Sequence, residues 1–334
     1  MKTLRVAIIA LITAALLYLF FRGIDFSMVW RMVRRIHPGY LLLFTLGLLV
    51  QQWLRGYRWA ILLRPRAADA RILTLVNFTM IGFLINTLVP GRIGEPARGI
   101  LVARKLGIKS AHGLASVVLE RLIDALVVVC LFLISLLYLK QTSSPFITSM
   151  RQVAWVALPL FLGAFGLFYF MNRESGFAWT ARQITRLSRL APSHRRQRLG
   201  DSLLHFVTGL RLQLGVKEFM KLAVSSLAIW LCMAPVYWMM FKPMGIQATL
   251  LEALNYTCII AAAASIPTPG MAGSLDAASR ITLVSIFGAE ANSAVAFTLI
   301  VHVGLILVLV ATGLVALAIE GVNLKGIRRI REEA

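Results

Sequence analysis

Apolar residues in this chain fall into long unbroken blocks, not into the alternation of a strand or the one-sided stripe of a surface helix. Six blocks, about 4–21, 39–62, 112–138, 153–171, 218–241 and 292–319, come close to or exceed the roughly 20 residues that cross a ~30 Å hydrocarbon layer. They predict six transmembrane helices. Two further apolar stretches are interrupted. The first, 72–106, runs from Ile72 to Val89, breaks at Pro90-Gly91 and resumes through Arg92, Glu95 and Arg98. The second, 250–288, runs from Leu250 to Ile266, breaks at Pro267-Thr268-Pro269-Gly270 and continues to Phe287. Proline lacks a backbone donor and glycine permits unusual dihedrals, so each break frees backbone groups that lipid cannot satisfy. The pattern predicts two re-entrant helical hairpins whose tips face protein or a water-filled cavity.

Composition agrees with this all-α integral membrane reading. Of 334 residues, 59% are hydrophobic and only 15% charged, well outside the composition of a soluble globular enzyme. Lys plus Arg outnumber Asp plus Glu by 35 to 14, a net charge of +21. Such an excess suits an anionic membrane surface; nucleic acid is not expected, because the basic residues are spread over several loops and no binding module appears. Lys2 and Arg5 precede the apolar run Val6 to Phe21 as in a signal peptide, but the run is long and lacks a small-x-small exit before Arg22, so it reads as an uncleaved first span.

The basic clusters Arg55 to Arg71, Arg98 to Lys109, Arg173 to Lys221 and Lys325 to Arg331 all reach the cytoplasmic side if the two interrupted stretches are re-entrant, one from each face. Both termini are then cytoplasmic, and the chain is a single polytopic domain over 1–334. The segment 22–37, with Arg22, Arg31, Arg34 and Arg35, is the misfit, because it lies outside. Interrupted segments entering from opposite faces are the signature of inverted repeats around a site near the midplane, although no residue-by-residue repeat is evident. The polar stretch 172–217 places Arg182, Arg186 and Arg189 at helical spacing opposite Phe177, Ile184 and Leu187, as in an amphipathic helix in the headgroup layer. A basic tail, 320–334, follows the last span.

Chemistry concentrates in three places. After the first break stand Arg92, Glu95 and Arg98, three residues apart, which share a face if the segment after Gly91 is helical. Charges at membrane depth need partners or water, so the three point into a common polar cavity. Gly91 and Gly94 would admit a ligand close to backbone, Asn86 and Pro90 flank the turn, and a helix start offers amide groups to an anion such as phosphate. The third span carries Glu120, Arg121 and Asp124, with the two acids one turn apart; Arg92, Arg98 and Arg121 are their natural partners, and a proton or cation relay is the alternative. At the second break, Pro267, Thr268, Pro269, Gly270, Gly273, Asp276 and Arg280 form an opposing gate. Asp276 and Arg280 can pair at i,i+4, and Thr268 and Ser274 offer hydroxyls. Glu252 and Asn255 lie on the other limb. His302, Gln51 and Gln52 are expected to bond neighbouring helices. Cys130, Cys232 and Cys258 lie in apolar runs without metal or redox spacing, and no metal site, cofactor motif, ATPase sequence or nucleophile elbow is found.

The runs NTLVPGRIGEPAR (86–98), LERLID (119–124) and IPTPGMAGSLD (266–276), in this order, resemble the flippase-like transmembrane domain of lysylphosphatidylglycerol synthases. The likeness spans about 75–320. It departs from the usual pattern in two ways: Met271 follows Gly270 where a second glycine is usual, and Asp276 stands where a glutamate is usual. The resemblance implies two re-entrant hairpins lining a lipid cavity in a bacterial inner-membrane protein. It also implies a role in moving an anionic or aminoacylated phospholipid, or a lipid-linked phosphate, between leaflets. Full-length synthases add a soluble domain that uses aminoacyl-tRNA; no room for one follows the last span, so synthase activity is not expected. Two other readings stay open: a membrane-embedded transferase acting on a polyprenyl phosphate or phospholipid, with Glu120 or Asp124 as general base, and a non-catalytic partner subunit. A second copy of the chain or a lipid-modifying enzyme are the protein partners to consider.

Overall fold

A computed structural model describes residues 2–64, 67, 69–89, 92–138, 145–188, 203–208, 210, 215–266 and 268–322. The described residues are helical, with no strand among them. The elements are α1 (Lys2–Phe21), α2 (Phe26–Arg35), α3 (Pro38–Leu63), α4 (Ile72–Leu88), α5 (Gly94–Lys105), α6 (Ser110–Tyr138), α7 (Pro145–Asn172) and α8 (Glu174–Ser188). After these come α9 (Val216–Leu231), α10 (Met233–Phe241), α11 (Leu250–Ala263), α12 (Ser274–Ser285) and α13 (Ala291–Glu320). Each apolar block becomes helix, and each interrupted stretch becomes a helix pair, α4–α5 and α11–α12. By length and apolar composition two described segments suffice to cross a membrane, Val216–Met244 and Ala291–Glu320; α1 from Leu11 together with α2, bent by 82°, makes a third if taken as one span.

The misfit segment 22–37 forms α2, a short helix capped by Asp25, whose carboxylate accepts from the amides of Ser27 and Met28. Val29 is buried while Phe26 and Trp30 are exposed, and Arg34 lies 4.8 Å over the Trp30 ring. In α8, Ile184 is buried and Phe177 half-buried, whereas Arg182 and Arg186 are exposed, which is the two-sided distribution read from the sequence. Arg189, the side chain of Leu187 and the tail beyond Val322 lie outside the described residues.

Both helix pairs are antiparallel. In α4–α5 the contacts climb one helix as they descend the other: Asn86 meets Gly94, Gly82 meets Gly94 and Arg98, and Thr79 meets Arg98. Glycine sets this spacing, because a Cβ on Gly94 would stand 2.0 Å from the Gly82 carbonyl oxygen. The same device holds α5 on α6, where a Cβ on Gly113 would meet the Gly99 carbonyl at 2.0 Å. In α11–α12, Tyr256 bonds Ser279 and Thr268 bonds Ser274.

Two helices tie the pairs into one body. The first half of α13 packs, with Phe44 and Leu48 of α3, in a core that includes Tyr256, Leu275 and Phe297. The second half packs, with Trp59 to Leu63 of α3, in a core around Leu75, Phe78, Ile81 and Ala97. In the first core the rings of Tyr237, Phe241, Tyr256 and Phe297 meet edge-on or tilted, at centroid distances from 4.9 Å for Phe241–Phe297 to 6.5 Å for Tyr237–Phe297. This packing brings the tips of the two pairs together. Arg92, just beyond the first break, donates to the carbonyl of Ala264 at the end of α11. Gly270 approaches the Thr87 carbonyl at the end of α4, where a Cβ on Gly270 would stand 3.6 Å away.

Candidate functional site

Beneath the first tip, α3, α5 and α6 converge on one buried ion network. Arg58 donates to Asp124 at 2.6 Å and to Glu120 at 3.1 Å, and none of its surface is exposed. Arg55 reaches Asp124 at 3.3 Å and Arg98 reaches Glu120 at 2.7 Å. Arg121 bonds both acids at 3.0 Å. Each carboxylate therefore takes three guanidiniums. That is the arrangement under which buried charge is tolerable, since an unpaired ion would cost several kcal/mol. Aromatic groups complete the surroundings. Arg98 lies 4.6 Å over Trp59, whose indole N–H donates to Ser116 at 2.9 Å. Arg55 lies 5.0 Å over Trp230, whose N–H donates to Asp124 at 3.2 Å.

The network borders a narrow recess lined by Thr79, Gly82, Phe83, Asn86, Glu95, Arg98 and Arg121, with no room for a water molecule between the side chains as they stand. At its mouth Glu95 stands between Arg92, at 3.6 Å, and Arg121, at 3.7 Å. Both arginine side chains are about a third exposed here (32% and 31%), whereas those of Arg58 and Glu120 are wholly buried.

The arrangement alters several details of the sequence reading. Arg92, Glu95 and Arg98 do not share a helical face: α5 begins at Gly94, and Arg92 lies before it at φ 55°, a left-handed conformation uncommon for a side-chain-bearing residue. The start of α5 offers few amides to an anion. The Gly94 amide donates to the Asn86 side chain, the amides of Glu95 and Ala97 donate to the carbonyls of Arg92 and Ile93, and Pro96 has none. Gly94 brings α5 against α4. Pro90, Gly91 and Pro267 lie outside the described residues.

At the second break, Asp276 and Arg280 do not pair. The Asp276 carboxylate instead accepts from the Gly273 amide at 2.9 Å and meets His302 Nδ1 of α13 at 2.6 Å. His302 Nε2 lies 2.8 Å from the Gly270 carbonyl, so the ring bridges the backbone of the second break and the Asp276 carboxylate. Arg280 turns away and donates to the carbonyls of Leu19, Phe20 and Arg22, closing the free C-terminal carbonyls of α1. Thr268 and Ser274 bond each other at 2.9 Å. Glu252 caps α11 through Thr249, and Asn255 donates to Ser135 of α6. Met271 adopts φ 62° where the resembled pattern has glycine, a conformation that costs an L-residue about 1–2 kcal/mol.

Sequence reasoning missed Arg55, Arg58, Trp59 and Trp230. The two arginines sit at the end of an apolar block and read as the start of a cytoplasmic cluster, yet both are buried. A signal was present: Gln51, Gln52, Arg55, Arg58 and Trp59 recur at helical spacing, a polar stripe inside an apolar helix. His302 was expected to bond a neighbouring helix, and it does. Gln51 likewise donates to the Ile229 carbonyl of α9. Among the described residues no group of His, Cys, Asp and Glu side chains could hold a metal ion.

Residues 3–317, nearly the whole chain, match the family described as Lysylphosphatidylglycerol synthase TM region. The chain belongs to that family. Neither a curated protein nor a solved structure matches it. Membership makes this a membrane protein with a lipid-related role.

Proposed function

We propose that the chain carries an anionic lipid headgroup between the leaflets of a bacterial inner membrane. In this reading α4–α5 and α11–α12 are re-entrant hairpins from opposite faces. The six long apolar blocks are the spans, and both termini are cytoplasmic. Arg92, Arg98 and Arg121, with Asn86 and Glu95, receive the headgroup, while Thr268 to Arg280 form the opposing gate. The observation that carries the proposal is a recess beneath the first tip, bounded by guanidiniums of a buried ion network. A guanidinium fork suits a phosphate, and ionisable residues within a membrane protein's apolar body commonly mark a ligand site or pathway.

Glu120 and Asp124 suit this role better than that of a general base in a transferase. Each is surrounded by three guanidiniums within 3.3 Å, which leaves little free lone-pair capacity for a substrate proton. The test is leaflet exchange of headgroup-labelled anionic phospholipid in vesicles holding the purified protein. Arg121→Gln should slow exchange about tenfold or more, the effect of losing one charge-assisted hydrogen bond, and Arg92→Gln, which leaves both buried acids fully paired, should slow it without the stability loss of a broken buried ion pair. Undiminished exchange would remove the recess from the pathway, and turnover of the lipid to a new species would favour a transferase.

A further inference from the structure

The ion network is not neutral. Five guanidiniums, those of Arg55, Arg58, Arg92, Arg98 and Arg121, meet three carboxylates, those of Glu95, Glu120 and Asp124. Every guanidinium touches a carboxylate, but the network as a whole carries two more positive than negative charges. The surplus is unevenly held. Glu120 and Asp124 bind their arginines at 2.6–3.3 Å in the buried layer. Glu95 holds Arg92 and Arg121 only at 3.6 and 3.7 Å, beyond hydrogen-bond length. Arg121 also keeps a buried Nε without a hydrogen-bond partner. The loosest carboxylate therefore stands between the two most exposed guanidiniums, at the mouth of the recess.

We propose that Glu95 is a built-in stand-in for the headgroup, and that the headgroup is a phosphate monoester or diphosphate on a lipid anchor. The Glu95 carboxylate stands between Arg92 and Arg121 until a lipid phosphate takes its place. This assignment rests on the carrier reading above and selects within it. A phosphate monoester brings about −1.5 to −2 charges at pH 7 and matches the surplus. A phosphodiester, with one charge, leaves part of the surplus unmet, and an aminoacylated headgroup adds an ammonium to a site that is already positive. Glu95 is also the one group at the mouth that an ammonium would seek, so the sign of its effect separates the two chemistries.

The experiment measures binding of short-chain phosphatidic acid, phosphatidylglycerol, lysyl-phosphatidylglycerol and inorganic phosphate to the detergent-purified full chain by titration calorimetry. Wild-type protein should prefer phosphatidic acid. Glu95→Gln should tighten that binding by up to about fivefold, the worth of a loosely held, partly exposed ion pair. Arg121→Gln should weaken it about tenfold or more, and Arg92→Gln serves as a second variant in case the first disturbs the fold. Weaker phosphatidic acid binding in Glu95→Gln, or a wild-type preference for lysyl-phosphatidylglycerol that Glu95→Gln abolishes, would overturn the proposal. Inorganic phosphate binding as tightly as phosphatidic acid would assign the site to a free anion and overturn the lipid part. The carrier reading fails separately: it falls if vesicles show no exchange of any of the lipids. Exchange without preference for the monoester sinks only the present inference.

Discussion

Arg58 and Arg92 show how position sets the worth of an identical side chain. Arg58 has no exposed surface and serves two acids, so Arg58→Met leaves Glu120 and Asp124 short of a cation in a dry place. We expect a loss of about 3–5 kcal/mol, the cost of breaking a buried pair. Arg92 has 32% of its side chain exposed, a loose 3.6 Å contact with Glu95 and one hydrogen bond to the Ala264 carbonyl, so Arg92→Gln should cost less, about 1–2 kcal/mol. Thermal unfolding in detergent compares the two; equal melting temperatures would contradict the buried placement of Arg58. Residue types told much here. Arg98, Glu120, Arg121 and Asp124 announced themselves as intramembrane charges, because such residues are rare unless partnered. Arg58 did not, because a basic residue at the end of an apolar block looks the same whether it turns to headgroups or inward.

At the scale of elements, glycine contacts and an arginine cap do what apolar burial alone does not. Gly94→Ala would drive a methyl into the Gly82 carbonyl and push α4 from α5; overpacking of this kind costs about 1–3 kcal/mol. The expected outcome is a lower unfolding midpoint together with weaker phospholipid binding, since Gly82 and Asn86 also line the recess. Binding that survives unchanged would mean that helix spacing does not shape the recess. Arg280→Ala should release the end of α1, which Arg280 holds through three carbonyls. Hydrogen bonds to a charged group contribute about 1.5–3 kcal/mol, so amide exchange in 14–22 should speed up by roughly tenfold or more, with α6 unaffected. Uniform exchange across both helices would contradict local docking. The sequence offered Asp276 as the partner of Arg280 because i,i+4 spacing permits the pair. His302 and the open end of α1 won instead, and neither could be weighed without knowing which helices lie alongside α12.

For the molecule as a whole, the consequence of the fold is that two breaks far apart in sequence touch, Arg92 against Ala264 and Gly270 near Thr87. If the tips enclose water, single cysteines replacing Leu88 and Ser265, both exposed, should react with a hydrophilic thiol reagent in membranes. The background would be a variant without Cys130, Cys232 and Cys258. Inert thiols at both positions would mean a dry junction and end the carrier proposal. The sequence by itself determined that this chain is helical, lives in a membrane, breaks two of its apolar segments at Pro-Gly runs and carries charge beside them. Those are consequences of local composition and of the bilayer's demand that backbone polar groups be satisfied. Only the tertiary structure decided which charges meet, that the network carries surplus positive charge, that Glu95 is its loosest member, and that His302 completes the second tip. Electrostatic pairing depends on distances of a few ångströms between separate helices, and no spacing along one chain contains them.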